Sequence, residues 1–158
     1  MRYQIKERGW TLGDTYAIRD AGGAVAYQVH GQVFSWGDDL TLTDATGREV
    51  ARIKQRLMTL MPTYELHKGG RLFAELRREF SWFEKSFTLD VPGPNDYTVK
   101  GSFWQHEYTF TRGGRVVATV ARDYFQWTDT YGVDIAAGED AVSILATVIV
   151  IDLMAEKK

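Results

Sequence analysis

The stretch "DAVSILATVIVIDLM", residues 140–154, is the most apolar in the chain and lies close to its C-terminus. A membrane anchor, an edge strand and a buried helix are the three readings open to it. It is too long for an ordinary strand, although its Val and Ile content favours β structure locally. Gly138, Glu139 and Asp140 just before it supply N-cap chemistry and negative charge at a helix start, and Lys157 and Lys158 suit a helix end. A helix from about 140 to 155 would be apolar on every side, interrupted only by Ser143, Thr147 and Asp152. Such a helix belongs inside a large core or a membrane. The apolar window before Asp152 falls short of the roughly 20 residues a bilayer crossing needs, at about 1.5 Å per residue. The rest of the chain must therefore supply the core.

That remainder is punctuated by glycine. Fifteen glycines but only three prolines occur, and the glycines recur in similar settings: "DAGG" at 20–23, "DATG" at 44–47, "HKGG" at 67–70 and "TRGG" at 111–114, with Gly93 of "DVPGPND" filling the gap. Short Gly-ended loops between alternating runs are hairpin signals, because glycine supplies the positive φ the turn needs. A second element keeps the same beat of about 23 residues. "FSW" at 34–36, "FSW" at 80–82 and "FQW" at 125–127 each follow a Gly turn, with "MTL" at 58–60 and "FW" at 103–104 in the corresponding places. The unit reads strand, aromatic bend, strand, Gly turn. Aromatics at structural spacing are expected in the core, so Trp36, Trp82 and Trp127 are read as structural rather than ligand-stacking.

Strands are expected near 2–7, 15–20, 24–30, 39–44, 48–56, 62–68, 71–78, 84–91, 96–101, 106–112, 115–122 and 129–136. Leu40 and Leu42 alternate with Thr41 and Thr43, and Ala51 and Ile53 with Arg52, Lys54 and Arg56. About twelve strands on short links make a meander with one wet and one dry face. Closure into an antiparallel barrel removes its edges. A barrel of that size is too wide for its own side chains to fill. The two oddities resolve each other if the C-terminal helix threads the barrel as its core, giving a mainly β single domain over residues 1–158.

This arrangement resembles the tubby C-terminal-like superfamily, and within it the LURP-one-related family. The resemblance spans essentially the whole chain and rests on the Gly-turn series, the bends "FSW", "FSW" and "FQW", and the terminal "EDAVSILATVIVIDLM". It implies a twelve-stranded barrel around a central hydrophobic helix. Relatives implied by it include phosphoinositide-binding tubby domains and phospholipid scramblases. No tubby headgroup-binding motif and no calcium-binding or Cys-rich scramblase segment matches here, so their functional residues do not carry over.

Net charge is −2, so the surface as a whole does not attract nucleic acid or anionic lipid. Residues 52–122 hold 12 Lys/Arg against 7 Asp/Glu, a local +5. The absence of cysteine excludes disulfides and thiolate chemistry and suits a reducing compartment. "MRYQIKERGW" lacks an apolar signal core, so the cytoplasm is the expected location, with no transmembrane segment. His30, His67 and His106 fall one per strand without metal spacing, and no nucleophile or phosphate-loop motif occurs. No enzyme activity, metal or cofactor is expected. Asp38 and Asp39 are read as a solvated turn pair. Asp152, late in the helix, is read as emerging at the barrel mouth into water, the alternative being burial against Arg or Lys.

The residues that remain are cations. Arg52, Lys54 and Arg56 at i, i+2, i+4 share the outward face of one strand, with Lys68 and Arg71 nearby. Clustered cations of this kind can hold phosphate headgroups, at about 1 kcal/mol each near an anionic surface. The leading reading is peripheral binding of anionic phospholipid or another phosphorylated ligand through this outer face. The competing one is a protein-interaction module without lipid affinity, in which the cations only keep the surface soluble beside Glu49, Glu65, Glu75 and Glu79. A small-molecule carrier is a third reading, which a helix-filled interior opposes.

Overall fold

Two turn chemistries organise the barrel. In "DAGG" and "DATG" the Asp side chain builds the turn. Asp20 Oδ1 accepts the Gly22 and Ala24 amides at 3.0 Å, and Asp44 Oδ1 accepts those of Thr46 and Arg48 at 2.9 and 3.0 Å. Gly69–Gly70 and Gly113–Gly114 instead pair two left-handed residues, with φ of +58° and +77° and of +58° and +78°, as a two-residue hairpin requires. A register shift lies beside each of these four turns, at Ile18/Arg19, Leu42/Thr43, Leu66/His67 and Phe110/Thr111. Such bulges add the local twist that lets a sheet curl.

The computed structural model describes residues 1–6, 15–34, 37–79, 85–93, 96–124 and 130–156. Twelve strands follow in order: β1 (Arg2–Lys6), β2 (Thr15–Asp20), β3 (Val25–Phe34), β4 (Gly37–Asp44), β5 (Glu49–Arg56), β6 (Thr63–Lys68), β7 (Arg71–Glu79), β8 (Ser86–Asp90), β9 (Tyr97–Ser102), β10 (Glu107–Arg112), β11 (Arg115–Ala121) and β12 (Thr130–Ile135). Each pairs antiparallel with its neighbours in sequence, and β1 also pairs with β12, which closes the barrel. Leu40, Leu42, Ala51 and Ile53 face inward and are buried, while Arg52, Lys54 and Arg56 face out. The inferred meander and its wet and dry faces are thus observed.

An up-and-down meander sends alternate links to opposite ends. One end, the glycine rim, gathers the tight turns and the lead-in to the helix. The other end, the tryptophan rim, holds the links after β5 and β9, the latter with Trp104, while Trp10, Trp36, Trp82 and Trp127 stand in the sequence between other strands. Trp104 is the one among the described residues. The expectation that Trp36, Trp82 and Trp127 are core falls outside them.

Helix α1 (Ala141–Glu156) starts at the glycine rim. Ile144, Leu145, Ala146, Val148, Ile149, Val150, Ile151 and Leu153 are all buried. They meet inward residues of the strands in one continuous core, each large aliphatic contributing about 1.5–3 kcal/mol by its burial. Thr147 satisfies its hydroxyl by donating to the Ser143 carbonyl at 2.8 Å. Beside the helix, between Tyr64, Leu66, Leu76 and Leu89 on the wall and Ala146, Thr147 and Val150, the free space is about 10 Å³. That is about one water's worth of room. No helix among the described residues is long and apolar enough to cross a membrane.

Candidate functional site

The cationic stripe on β5 points outward as its alternation requires, but it is interleaved with carboxylates. Arg52 makes a two-pronged pair with Asp39 of β4, donating from Nε at 3.0 Å and from Nη2 at 2.7 Å. Arg56 donates to Glu65 Oε2 at 3.1 and 2.7 Å and lies 3.3 Å from Glu75. Glu65 on β6 sits directly opposite Glu75 on β7, so Arg56 relieves a like-charge cross-strand pair. Hydrogen bonds from Arg56, and then His67, hold the Glu65 carboxyl below the usual range. Lys54 is exposed between them, and Arg71 is exposed beside the Gly69 turn. Among the described residues neither side chain makes a hydrogen bond or ion pair. Lys68 leaves the stripe altogether. Its ammonium lies 4.0 Å over the Phe73 ring and donates to Asp140 at the helix start at 2.5 Å. Four of the five expected residues, Arg52, Lys54, Arg56 and Arg71, therefore face solvent in one outer sector, and Lys68 serves the helix instead.

Asp140 is the N-cap of α1. Its carboxylate accepts the Ser143 amide at 3.2 Å and hydroxyl at 2.6 Å, and its carbonyl accepts the Ile144 amide at 3.1 Å. Burial pushes the Asp140 carboxyl up, but Lys68 and the two Ser143 donors outweigh it and hold it below its ordinary value. Glu139 next to it accepts from the Tyr97 hydroxyl at 3.0 Å and lies 3.5 Å from Arg112.

Two carboxylates near the tryptophan rim depart from expectation. Asp38 is not solvated. Strand β4 begins at Gly37, so Asp38 falls in phase with inward Leu40 and Leu42 and is only 3% exposed. The Tyr64 hydroxyl donates to it at 3.0 Å, and the Asp38 amide donates to Gln55 Oε1 at 3.0 Å. Burial, reinforced by this carboxylate, pushes the Tyr64 hydroxyl pKa far up, so it stays a donor. Asp152 is likewise not hydrated at the mouth. At 8% exposure it accepts a hydrogen bond from the Tyr131 hydroxyl and lies 3.4 Å from His106 Nδ1. His106 stacks on Tyr131 with ring centroids 4.1 Å apart. Its φ of +54° turns the ring in from the link after β9, a conformation His tolerates better than most residues. Asp152 is therefore buried rather than hydrated, and among the described residues Tyr131 and His106 stand against it.

The bend positions that are described split. Phe103 is core, packed on Phe87 and Tyr108 with centroids 4.9 and 5.0 Å apart. Trp104 beside it is 60% exposed, and in the "MTL" bend Met58 and Leu60 are fully exposed, at 103% and 99%. Met58 holds φ +59°, which costs a non-glycine residue on the order of 1–3 kcal/mol. The sequence signalled these positions as a recurring bend and read its aromatics as core; Phe103 fits that reading and Trp104, on a strand-linking tip with no opposite wall, does not.

The three histidines stay apart. His30 contacts the Thr15 and Thr43 hydroxyls, His67 pairs with Glu65 and His106 with Asp152. No cluster of metal-ligating residues occurs among the described residues. An open cleft of about 710 Å³ at the glycine rim is lined by Met1, Tyr3, Tyr27, Asp20 and Asp44, but both carboxylates are committed to their own turns.

Three comparisons bear on this architecture. An X-ray structure of an Arabidopsis thaliana protein matches 97% of this chain and 91% of its own with a TM-score of 0.70 at 17% identity, a likeness of fold alone. The uncharacterised protein YxjI of Bacillus subtilis (strain 168) is 31% identical over 150 residues, covering 95% of this chain and 91% of its own. The LURP-one-related family model matches residues 1–152, so the chain belongs to the LURP-one-related family.

Proposed function

We propose that this LURP-one-related barrel is a non-enzymatic module that associates peripherally with an anionic, phosphate-bearing membrane surface on the cytoplasmic side. The observation that carries the reading is the outward row Arg52, Lys54 and Arg56 with Lys54 free among the described residues. The arginine pairs do not forbid it. Arg52 and Arg56 are 44% and 40% exposed, and ion pairs at such exposure are weak enough for a phosphate to compete. Arg71 adds a further exposed cation in the same sector. The interleaved Asp39, Glu65 and Glu75 favour the second reading, a protein-interaction module that recognises a mixed-charge partner.

Co-sedimentation with phosphatidylserine-containing vesicles separates the two. Binding is expected at low salt and should weaken steeply as ionic strength rises. Changing Arg52, Lys54 and Arg56 together to Gln should lower it by on the order of tenfold, less than three bare cations would give because Asp39, Glu65 and Glu75 remain. A wild-type chain that stays in the supernatant at low salt would sink the lipid reading and leave the interaction module.

A further inference from the structure

The link between β5 and β6 begins one residue after Arg56 and presents Leu57, Met58 and Leu60 to solvent, Leu57 at 49% and the other two in full. Glycine would fit the left-handed backbone at Met58 without strain, yet an apolar side chain stands there. The tip is convex and consists of three side chains, far below the roughly 800 Å² per partner that a stable protein interface covers. A lipid interface asks for less area and takes up a projecting tip. The charges agree with that occupant. Arg56 adjoins the tip, and Lys54 lies about 7 Å higher on the strand at roughly 3.3 Å per residue. That spacing sets cations at headgroup level when an apolar tip enters the acyl boundary. Trp104, 60% exposed, projects on the same rim four strands further round. Tryptophan is the residue enriched at membrane–water interfaces.

We propose that Leu57, Met58 and Leu60 insert into the headgroup–acyl boundary of a lipid bilayer, with Trp104 at the interface and the barrel standing on its tryptophan rim. The inference rests on the reading of the chain as a membrane-surface module and adds the part of the molecule that enters the lipid. The β5 cations then steer and orient, while the tip supplies attachment that salt does not screen.

Because the chain has no cysteine, Leu60→Cys gives one attachment point for an environment-sensitive fluorophore on the full chain. Labelled protein is mixed with vesicles of phosphatidylcholine alone or with phosphatidylserine added, and unlabelled wild type is compared with Met58→Ser/Leu60→Ser by sedimentation. The label should shift to the blue on the anionic vesicles and be quenched by brominated acyl chains. The double variant should keep its thermal midpoint but bind roughly a hundredfold less, about 1.4 kcal/mol for each tenfold step. Its residual binding should vanish at high salt. Sedimentation with anionic vesicles while the label neither shifts nor quenches overturns the insertion and leaves the cationic face standing. A shift on both vesicle types, indifferent to salt, supports the insertion and removes the cationic face. No sedimentation with either vesicle removes both. A vesicle-free dimer that the double variant dissolves would assign the tip to a second copy of the chain and overturn the proposal.

Discussion

The two rims of the barrel hold one helix by opposite means. At the glycine rim, Asp140 and Glu139 are gripped by Lys68, Ser143, Tyr97 and Arg112, in pairs that water still reaches. At the tryptophan rim, Asp152 is out of water and meets the Tyr131 hydroxyl and His106. The glycine rim ends in tight turns whose side chains satisfy their own backbone. The tryptophan rim buries carboxylates within and sets apolar residues outside. Among the described residues the buried carboxylates belong to this end alone, whereas exposed apolar side chains occur at both: Met1, Leu72 and Val116 stand singly at the glycine rim, and Leu57, Met58 and Leu60 share one tip at the tryptophan rim.

The largest effect should come from breaking what both rims share. Val148→Asp places a carboxylate at the fully buried middle of α1, where no partner is arranged and desolvation is costly. Removing the residues after Gly138 deletes the helix and leaves the inward faces of twelve strands around a void. Neither variant should show a cooperative thermal transition. A 1–138 fragment that melts cooperatively would mean that the barrel wall stands alone, and the contrast between the rims would lose its object.

Next comes the tryptophan rim by itself. Tyr131→Phe removes one hydroxyl donor from a carboxylate that is 8% exposed, and the loss of a donor at a buried acceptor costs about 1–3 kcal/mol. Urea denaturation should show that loss as a lower midpoint at unchanged slope. An unchanged midpoint would mean that water replaces the hydroxyl, so that this rim is as wet as the other.

How far such features can be read from sequence depends on how local they are. The strands and the helix were legible because alternation and left-handed glycines are properties of a few consecutive residues. The expected strand 39–44 begins two residues earlier in the structure. That small shift decides whether Asp38 lies in a wet turn or in the inward register of Leu40 and Leu42. The meeting of His106, Tyr131 and Asp152 is not local at all. It exists because β9, β12 and the end of α1 converge once the barrel closes, and nothing in their spacing announces it. The stripe of Arg52, Lys54 and Arg56 was legible as geometry, since period two fixes its side. Glu65 and Glu75 were legible as neighbours, but that both meet Arg56 and that Asp39 meets Arg52 follows only from the pairing of β4, β5, β6 and β7.

The smallest effect belongs to the glycine rim. Asp140→Asn keeps a side chain that caps a helix about as well as aspartate and deletes only the charge that faces Lys68. With the two side chains 26% and 33% exposed, solvent screening limits the loss to about 1 kcal/mol or less at neutral pH. The pH dependence identifies it. The folded Asp140 carboxyl sits below its ordinary value, so the unfolded chain takes up that proton first as acid is added. The stability this carboxylate provides is complete above the ordinary aspartate value and disappears as pH falls through the lower, folded one. The thermal midpoints of wild type and Asp140→Asn should therefore differ by a constant amount through the neutral range and converge only in strong acid. Lys68→Met should show the same convergence, and the two losses should not add, because both break one pair. Convergence near neutrality would point instead to a histidine, and additive losses would mean that Lys68 and Asp140 act separately, leaving the glycine rim without the latch that sets it apart from the buried clasp at the other end.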